Sequence, residues 1–198
     1  MAVSIEDIKK LKELTGVGLT DAKLALVESD GDFDKALEAM RKKGLTRAEK
    51  KGDREAREGI IDSYVHSGRI GVVVELNCET DFVARLDDFK RLAHEIAMQI
   101  AAMNPAYISD TDIPAEEKAR VQKEAEERVA LEGKPADIAA KIVEGQVKKH
   151  FAEKVLLSQP YILDEGATVE AHIKESIAKL GENILVRQFK RIELGVNE

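Results

Sequence analysis

A single cysteine, Cys78, stands among 198 residues, so no intrachain disulfide can form, and the chain suits a reducing compartment. Long apolar runs are missing too: none approaches the roughly 18 consecutive residues that a membrane span needs. Residues 1–6 lack the basic and apolar regions of a secretion signal. Positive charge is also in deficit, with 31 basic against 38 acidic residues and a net charge of −7. Bulk nucleic-acid binding needs a basic surface, so that class of partner is disfavoured. There is no internal repeat and no low-complexity segment. These absences set the expectation of a soluble, cytoplasmic protein with neither membrane nor nucleic acid as partner. The length suits one globular domain with a small appendage, or two small domains.

The groups of a chemical catalyst are equally sparse. Cys78 has no histidine near it in sequence, and His66, His94, His150 and His172 show no paired ligand spacing. Gly16-Val17-Gly18 is glycine-rich but lacks the Gly-Lys-Ser/Thr that cradles phosphates, and a helix precedes it, so it reads as a helix-to-helix turn. Glu79, Asp81, Asp87 and Asp88 could serve Mg²⁺ or acid–base work. They read rather as helix-start carboxylates favoured by the dipole. The expectation is a protein that is not an enzyme and has no metal or cofactor.

What is present is organised. Residues 1–45 read as three short helices. Ser4 caps the first, with Ile5, Ile8, Leu11 and Leu14 on one face. The turn Thr15-Gly16-Val17-Gly18 follows. A second helix over 19–28 carries Ala22, Leu24, Ala25 and Val27, and Asp32 caps a third that Gly44 stops. Residues 46–57 read as a linker, within a basic stretch from Arg41 to Arg57 that has eight basic and three acidic residues. That stretch is either a solvated connector or a contact for an acidic partner or RNA. The core domain is expected over 58–198. Strands over 58–66 and 70–76 join through Ser67-Gly68-Arg69 as a hairpin. A helix with Leu86, Phe89, Leu92, Ala93, Ile96, Ala97 and Ile100 at helical spacing follows, ending near Asn104-Pro105. Pro114 opens a charged helix, and Gly133-Lys134-Pro135 turns it into a second, giving a projecting helical hairpin at about 114–150. A helix over 169–180, capped by Thr168 and ended by Gly181, leads to a closing strand over 184–194. The fold class is therefore α+β: a small antiparallel sheet covered by helices.

The nonapeptide Asn77-Cys78-Glu79-Thr80-Asp81-Phe82-Val83-Ala84-Arg85 lies where a buried strand hands over to the long helix. Rigid scaffolds present partner-binding side chains at such junctions. Thr80 and Asp81 can cap a first turn, with Phe82 and Val83 on its surface or against the core. In one reading Asp81 is only a cap and Phe82 only core. In the other they face a partner.

Asn77-Cys78-Glu79-Thr80-Asp81-Phe82-Val83-Ala84 resembles the signature of the elongation factor Ts family, the nucleotide exchange factors of elongation factor Tu. Two more blocks resemble the same family in the same order. One is Leu14-Thr15-Gly16-Val17-Gly18-Leu19-Thr20-Asp21-Ala22-Lys23, with Gly31-Asp32 and Arg41-Lys42-Lys43-Gly44. The other is Glu132-Gly133-Lys134-Pro135, Lys141-Ile142-Val143-Glu144-Gly145 and Gln159-Pro160. The resemblance implies that residues 1–45 form a ubiquitin-associated-like module. It implies a guanine nucleotide exchange factor that binds elongation factor Tu·GDP, disturbs its Mg²⁺/phosphate site and promotes GDP release. It also implies that Asp81 and Phe82, with Thr80 and Val83 beside them, insert into the partner's G domain as a Mg²⁺-dislocating wedge. Lys12 and Leu19 match second contacts, with Thr20 alongside where relatives often carry an apolar residue. Longer relatives have a core with two related halves and this chain has length for one. A single small sheet leaves a face or edge that another copy could cover, so a homodimer involving 184–194 is expected. The competing expectation is a non-catalytic interaction module using the N-terminal three-helix unit.

Overall fold

The computed structural model describes residues 3–131 and 136–196. Two compact units divide the chain: one takes in residues up to Met98 and from Glu170 on, the other spans Gln99 to Val169.

The first unit opens with α1 (Ile5–Thr15), α2 (Leu19–Glu28) and α3 (Phe33–Glu49). Each start has a local cause. The Ser4 hydroxyl accepts from the Glu6 N–H, and the Asp32 carboxylate accepts from the Lys35 N–H. Gly16 ends α1 at φ 65°, a conformation that costs a side chain little only when there is none. Leu11, Ala22, Ala25, Leu26, Ala36 and Met40 close the helices on one another, with Ile8, Phe33 and Leu37 beside them. The apolar stripe expected on α1 is only half buried. Ile8 and Leu11 turn inward, while Ile5 and Leu14 stay exposed. Three helices this short cannot enclose every apolar side chain they carry.

Gly44 does not stop α3, which continues to Glu49. The expected linker therefore begins as helix. The glycine instead permits a close approach: a Cβ there would lie 3.1 Å from the Ala178 Cβ of α8 (Val169–Leu180). Gly16 is closer still, with a Cβ at 2.5 Å from the Lys179 Cα. Arg41 pairs with Glu175 across the same seam at 3.4 Å. Packing gained at the two glycines offsets the helix propensity lost at Gly44, about 1 kcal/mol relative to alanine.

Strands β1 (Glu58–His66), β2 (Ile70–Cys78) and β5 (Leu185–Glu193) form an antiparallel sheet in the order β1-β2-β5. The hairpin turn carries Ser67 and Gly68 at φ 51° and 67°. Glu58 pairs with Cys78 and His66 with Ile70, and on the other side Val73 pairs with Lys190. The register shifts between Glu75 and Leu76 against β5. One face carries Val72, Val74 and Leu76, all buried. α5 (Asp87–Met103) lies across it, with His94 bonded to Asp62 and edge-on to Tyr64. The other face keeps Ile61, Val65, Val73 and Ile192 exposed. The sheet with its helices gives the α+β class expected from the sequence.

The second unit holds α6 (Ala115–Ala130), α7 (Ala136–Ala152) and a short ribbon, β3 (Pro160–Tyr161) with β4 (Asp164–Thr168). Val121, Ala125 and Val129 are the buried residues of the charged α6. The expected stop and turn at Gly133-Lys134-Pro135 lie outside the described residues. Gln99 and Gln159, both fully buried, bond to each other at 3.1 Å. Gln159 also donates to the Glu153 carbonyl, and Gln99 accepts from the Ile162 N–H, so that each amide is satisfied within the unit.

Candidate functional site

β2 ends at Cys78, and the chain then makes a single helical turn, α4 (Asp81–Ala84), before α5 begins. Thr80, not Asp81, is the cap: its side chain accepts from the Val83 N–H at 3.4 Å. Asp81 is the first residue inside the turn, and its carboxylate meets Arg85 at 2.7 Å near the surface. The four-residue turn divides its side chains. Val83 and Ala84 are buried, whereas Phe82 is 77% exposed. A phenylalanine so placed contributes nothing to the core. The reading that made Asp81 a cap and Phe82 core is therefore corrected on both counts. The cause is the phase of the turn, which brings the β-branched neighbour inward and leaves the ring outward.

The approach to α4 is fastened from the far end of the chain. The Glu182 carboxylate accepts from the N–H groups of Glu79 and Thr80 at 3.1 and 2.9 Å, and from the Thr80 hydroxyl at 2.6 Å. In return, Glu79 accepts from the Asn183 N–H at 2.7 Å, with the Arg54 guanidinium 3.5 Å away. The buried Asn183 amide donates to the carbonyls of Gly52 and Arg54 at 3.2 and 2.7 Å. Lys51 reaches the Gly181 carbonyl beside them. Sequence reasoning read Gly181 only as a helix stop and passed over Glu182 and Asn183. The one available signal was an acid–amide pair directly after that glycine.

Cys78 is buried under the same turn, and its thiol donates to the Thr80 carbonyl at 3.1 Å. Burial, then the negative charge of Glu182, pushes the thiol up to about 11. It is thus a neutral donor and not a nucleophile.

The acidic cluster separates into individual ion pairs. Glu79 faces Asn183 and Arg54, Asp81 faces Arg85, and Asp87 lies 3.9 Å from Lys90. Asp88 meets Lys179 at 2.7 Å and also Arg91. The Lys179 hydrogen bond, chiefly, holds the Asp88 carboxyl below its ordinary range. Among the described residues, no three His, Cys, Asp or Glu side chains gather as a metal would require.

Lys12, Leu19 and Thr20 flank one turn: Lys12 in the last turn of α1, Leu19 and Thr20 opening α2. All three are exposed, and Leu24 and Val27 add further exposed apolar surface on α2. The structure brings Thr80, Asp81, Phe82 and Val83 together on one capped turn and Lys12, Leu19 and Thr20 around another. Within the first set, Phe82 is exposed, Thr80 and Asp81 are half-buried, the Thr80 hydroxyl being taken up by Glu182, and Val83 is buried.

Residues 38–196 match the family described as Elongation factor TS. Among curated relatives, the chain is 47% identical to Elongation factor Ts of Fervidobacterium nodosum over 196 residues, covering 98% of this chain and 100% of the relative. The same-named protein of Herpetosiphon aurantiacus is 46% identical over 198 residues, with both chains fully covered. That of Thermotoga petrophila is 51% identical over 197 residues, 98% of each.

Proposed function

The chain belongs to the elongation factor Ts family, and we propose that it is a guanine nucleotide exchange factor that releases GDP from elongation factor Tu during translation elongation. Such a protein makes and breaks no covalent bond. It binds the nucleotide-free GTPase better than the nucleotide-bound form, and linkage then weakens nucleotide binding by the same factor. The nucleotide of a GTPase is held by phosphate contacts and by a Mg²⁺ bridging phosphate oxygens. A wedge that shifts the elements behind that ion loosens the nucleotide without touching its base. Phe82 supplies the apolar body and Asp81 the polar neighbour that orients it. Burying one phenylalanine is worth roughly 1.5–3 kcal/mol, enough for a tenfold or larger bias between states.

The observation that carries this reading is the exposure of Phe82 on a turn whose base is fastened. Core packing gives no reason for a phenylalanine there, whereas a gap in a partner does. Lys12, Leu19 and Thr20 make a second contact on the same G domain. The N-terminal helices, with α3 carried on to Glu49, act as a ubiquitin-associated-like binding module, the residues from there to 57 as its connection, and 58–198 as the core that carries the wedge. Two copies pair through the exposed face of the sheet, with 184–194 taking part. The work is done in the cytoplasm and uses no cofactor of the protein's own.

The test is release of a fluorescent GDP analogue from elongation factor Tu followed by stopped flow. Substoichiometric protein is expected to accelerate release, with GTP hydrolysis in the absence of ribosomes unchanged. Release at the intrinsic rate, even with excess protein, would leave only a non-catalytic interaction module.

A further inference from the structure

We propose that Glu182 is a positioning residue for nucleotide exchange: its carboxylate sets the turn that presents Asp81 and Phe82. This rests on the exchange-factor reading above. The need for such a residue follows from the turn itself. α4 has four residues, far below the length at which a helix holds itself in water. Phe82 is 77% exposed, and among the described residues the Asp81 carboxylate meets Arg85, which moves with the same turn. Val83 and Ala84 anchor the distal side. On the entry side Glu182 takes both N–H groups and the hydroxyl, with the Cys78 thiol on the Thr80 carbonyl and Asn183 on the Glu79 side chain beside it.

Three donors converge on that one carboxylate, two backbone N–H groups and the Thr80 hydroxyl. Hydrogen bonds to an ionised acceptor are about twice as strong as neutral ones. The hydroxyl has a single proton, and giving it to Glu182 turns an oxygen lone pair toward the Val83 N–H. The cap of α4 is thus oriented by a residue about a hundred positions away. Next to Glu182, Asn183 holds both Glu79 and the carbonyls of Gly52 and Arg54, which follow α3. The two residues therefore fix the wedge and the end of the N-terminal helices to one point. A partner that must meet both surfaces at once gains from that fixed spacing, because little ordering remains to be done on binding.

The test uses full-length Glu182→Ala, Glu182→Gln and Glu182→Asp, with Phe82→Ala and the double variant Glu182→Ala/Phe82→Ala. Three quantities are read: kcat/KM for GDP release from elongation factor Tu, amide hydrogen exchange at Glu79, Thr80 and Val83, and the melting temperature. Glu182→Ala is expected to lower kcat/KM per folded molecule about tenfold, with a lowered melting temperature and faster exchange of the three amides. Glu182→Asp, which keeps the charge at shorter reach, recovers part of the rate. Because Glu182 acts through Asp81 and Phe82, the double variant is expected to lose less than the product of the two single losses. Wild-type kcat/KM in the Glu182 variants, losses that multiply in the double variant, or unaltered amide exchange at Glu79 and Thr80 would each overturn the proposal. If Glu182→Ala does not fold, Glu182→Gln carries the same measurements. Failure of the wild-type protein to accelerate release would instead overturn the exchange-factor reading, and amide exchange would still report whether Glu182 fixes the turn.

Discussion

Phe82 and Val83 are neighbours on one turn with opposite environments, and their substitutions separate accordingly. Val83→Ala removes two buried carbons and is expected to cost about 1–2 kcal/mol of stability in urea unfolding. Phe82→Ala removes a ring already in water, so its unfolding midpoint should stay at the wild-type value. A large loss of stability in Phe82→Ala would place the ring in the core and withdraw it from the site. Cys78 allows a second prediction. Its thiol ionises near 9 in the unfolded chain and near 11 in the folded one. The unfolded state therefore releases its proton first as pH rises, and stability contributed by the neutral thiol declines between those values. At pH 8 the native thiol should resist alkylation by iodoacetamide and react readily in urea. Rapid labelling of the folded protein would contradict this burial. At this scale the signature was legible as a block, but the direction of each side chain was not. Spacing placed Phe82 on a turn without its phase, and Glu182 lies too far along the chain for any local pattern to connect it with Thr80.

Element boundaries were far more legible, because caps and periodicity are local. Ser4, Gly16, Asp32 and Gly181 mark helix ends where the sequence put them, and the β1–β2 hairpin keeps its expected turn. Gly44 was misread since a glycine needed for close packing looks the same in sequence as one needed to stop a helix. The β3–β4 ribbon went unseen: strands of two and five residues carry too little alternation to register. The seam between the N-terminal helices and α8 gives the prediction at this scale. Gly16→Ala forces a side chain into the left-handed region, at about 1–2 kcal/mol, and sets its Cβ against the Lys179 backbone. Gly44→Leu overfills the contact with Ala178 and is expected to cost about 1–3 kcal/mol. Both should lower the urea midpoint, and a midpoint at or above wild type would show that the seam is looser than described.

At the scale of the whole molecule, the proposed pairing of two copies rests on the exposed apolar face of the sheet. Light scattering at micromolar concentration should give a mass of two chains, and Val73→Glu, which puts a charge in the middle of that face, should give one. A monomeric wild-type mass would remove the dimer from the account. A three-stranded antiparallel sheet was legible from three short β-rich runs, but its order β1-β2-β5 was not, nor was the division into units at Gln99 and Val169, which runs through the continuous helix α5. In the proposed function this fold holds Phe82 against the Mg²⁺ site of a GTPase. The most direct measurement is stopped-flow release of fluorescent GDP from elongation factor Tu, with wild type, Asp81→Ala and Phe82→Ala, each with and without a magnesium chelator. Release is expected to be about tenfold or more slower with Phe82→Ala, with a smaller defect in Asp81→Ala worth about 1 kcal/mol, and a gap that shrinks once the chelator has removed Mg²⁺. Equal rates for wild type and Phe82→Ala when both are folded, or a gap that persists undiminished without Mg²⁺, would contradict the proposed wedge.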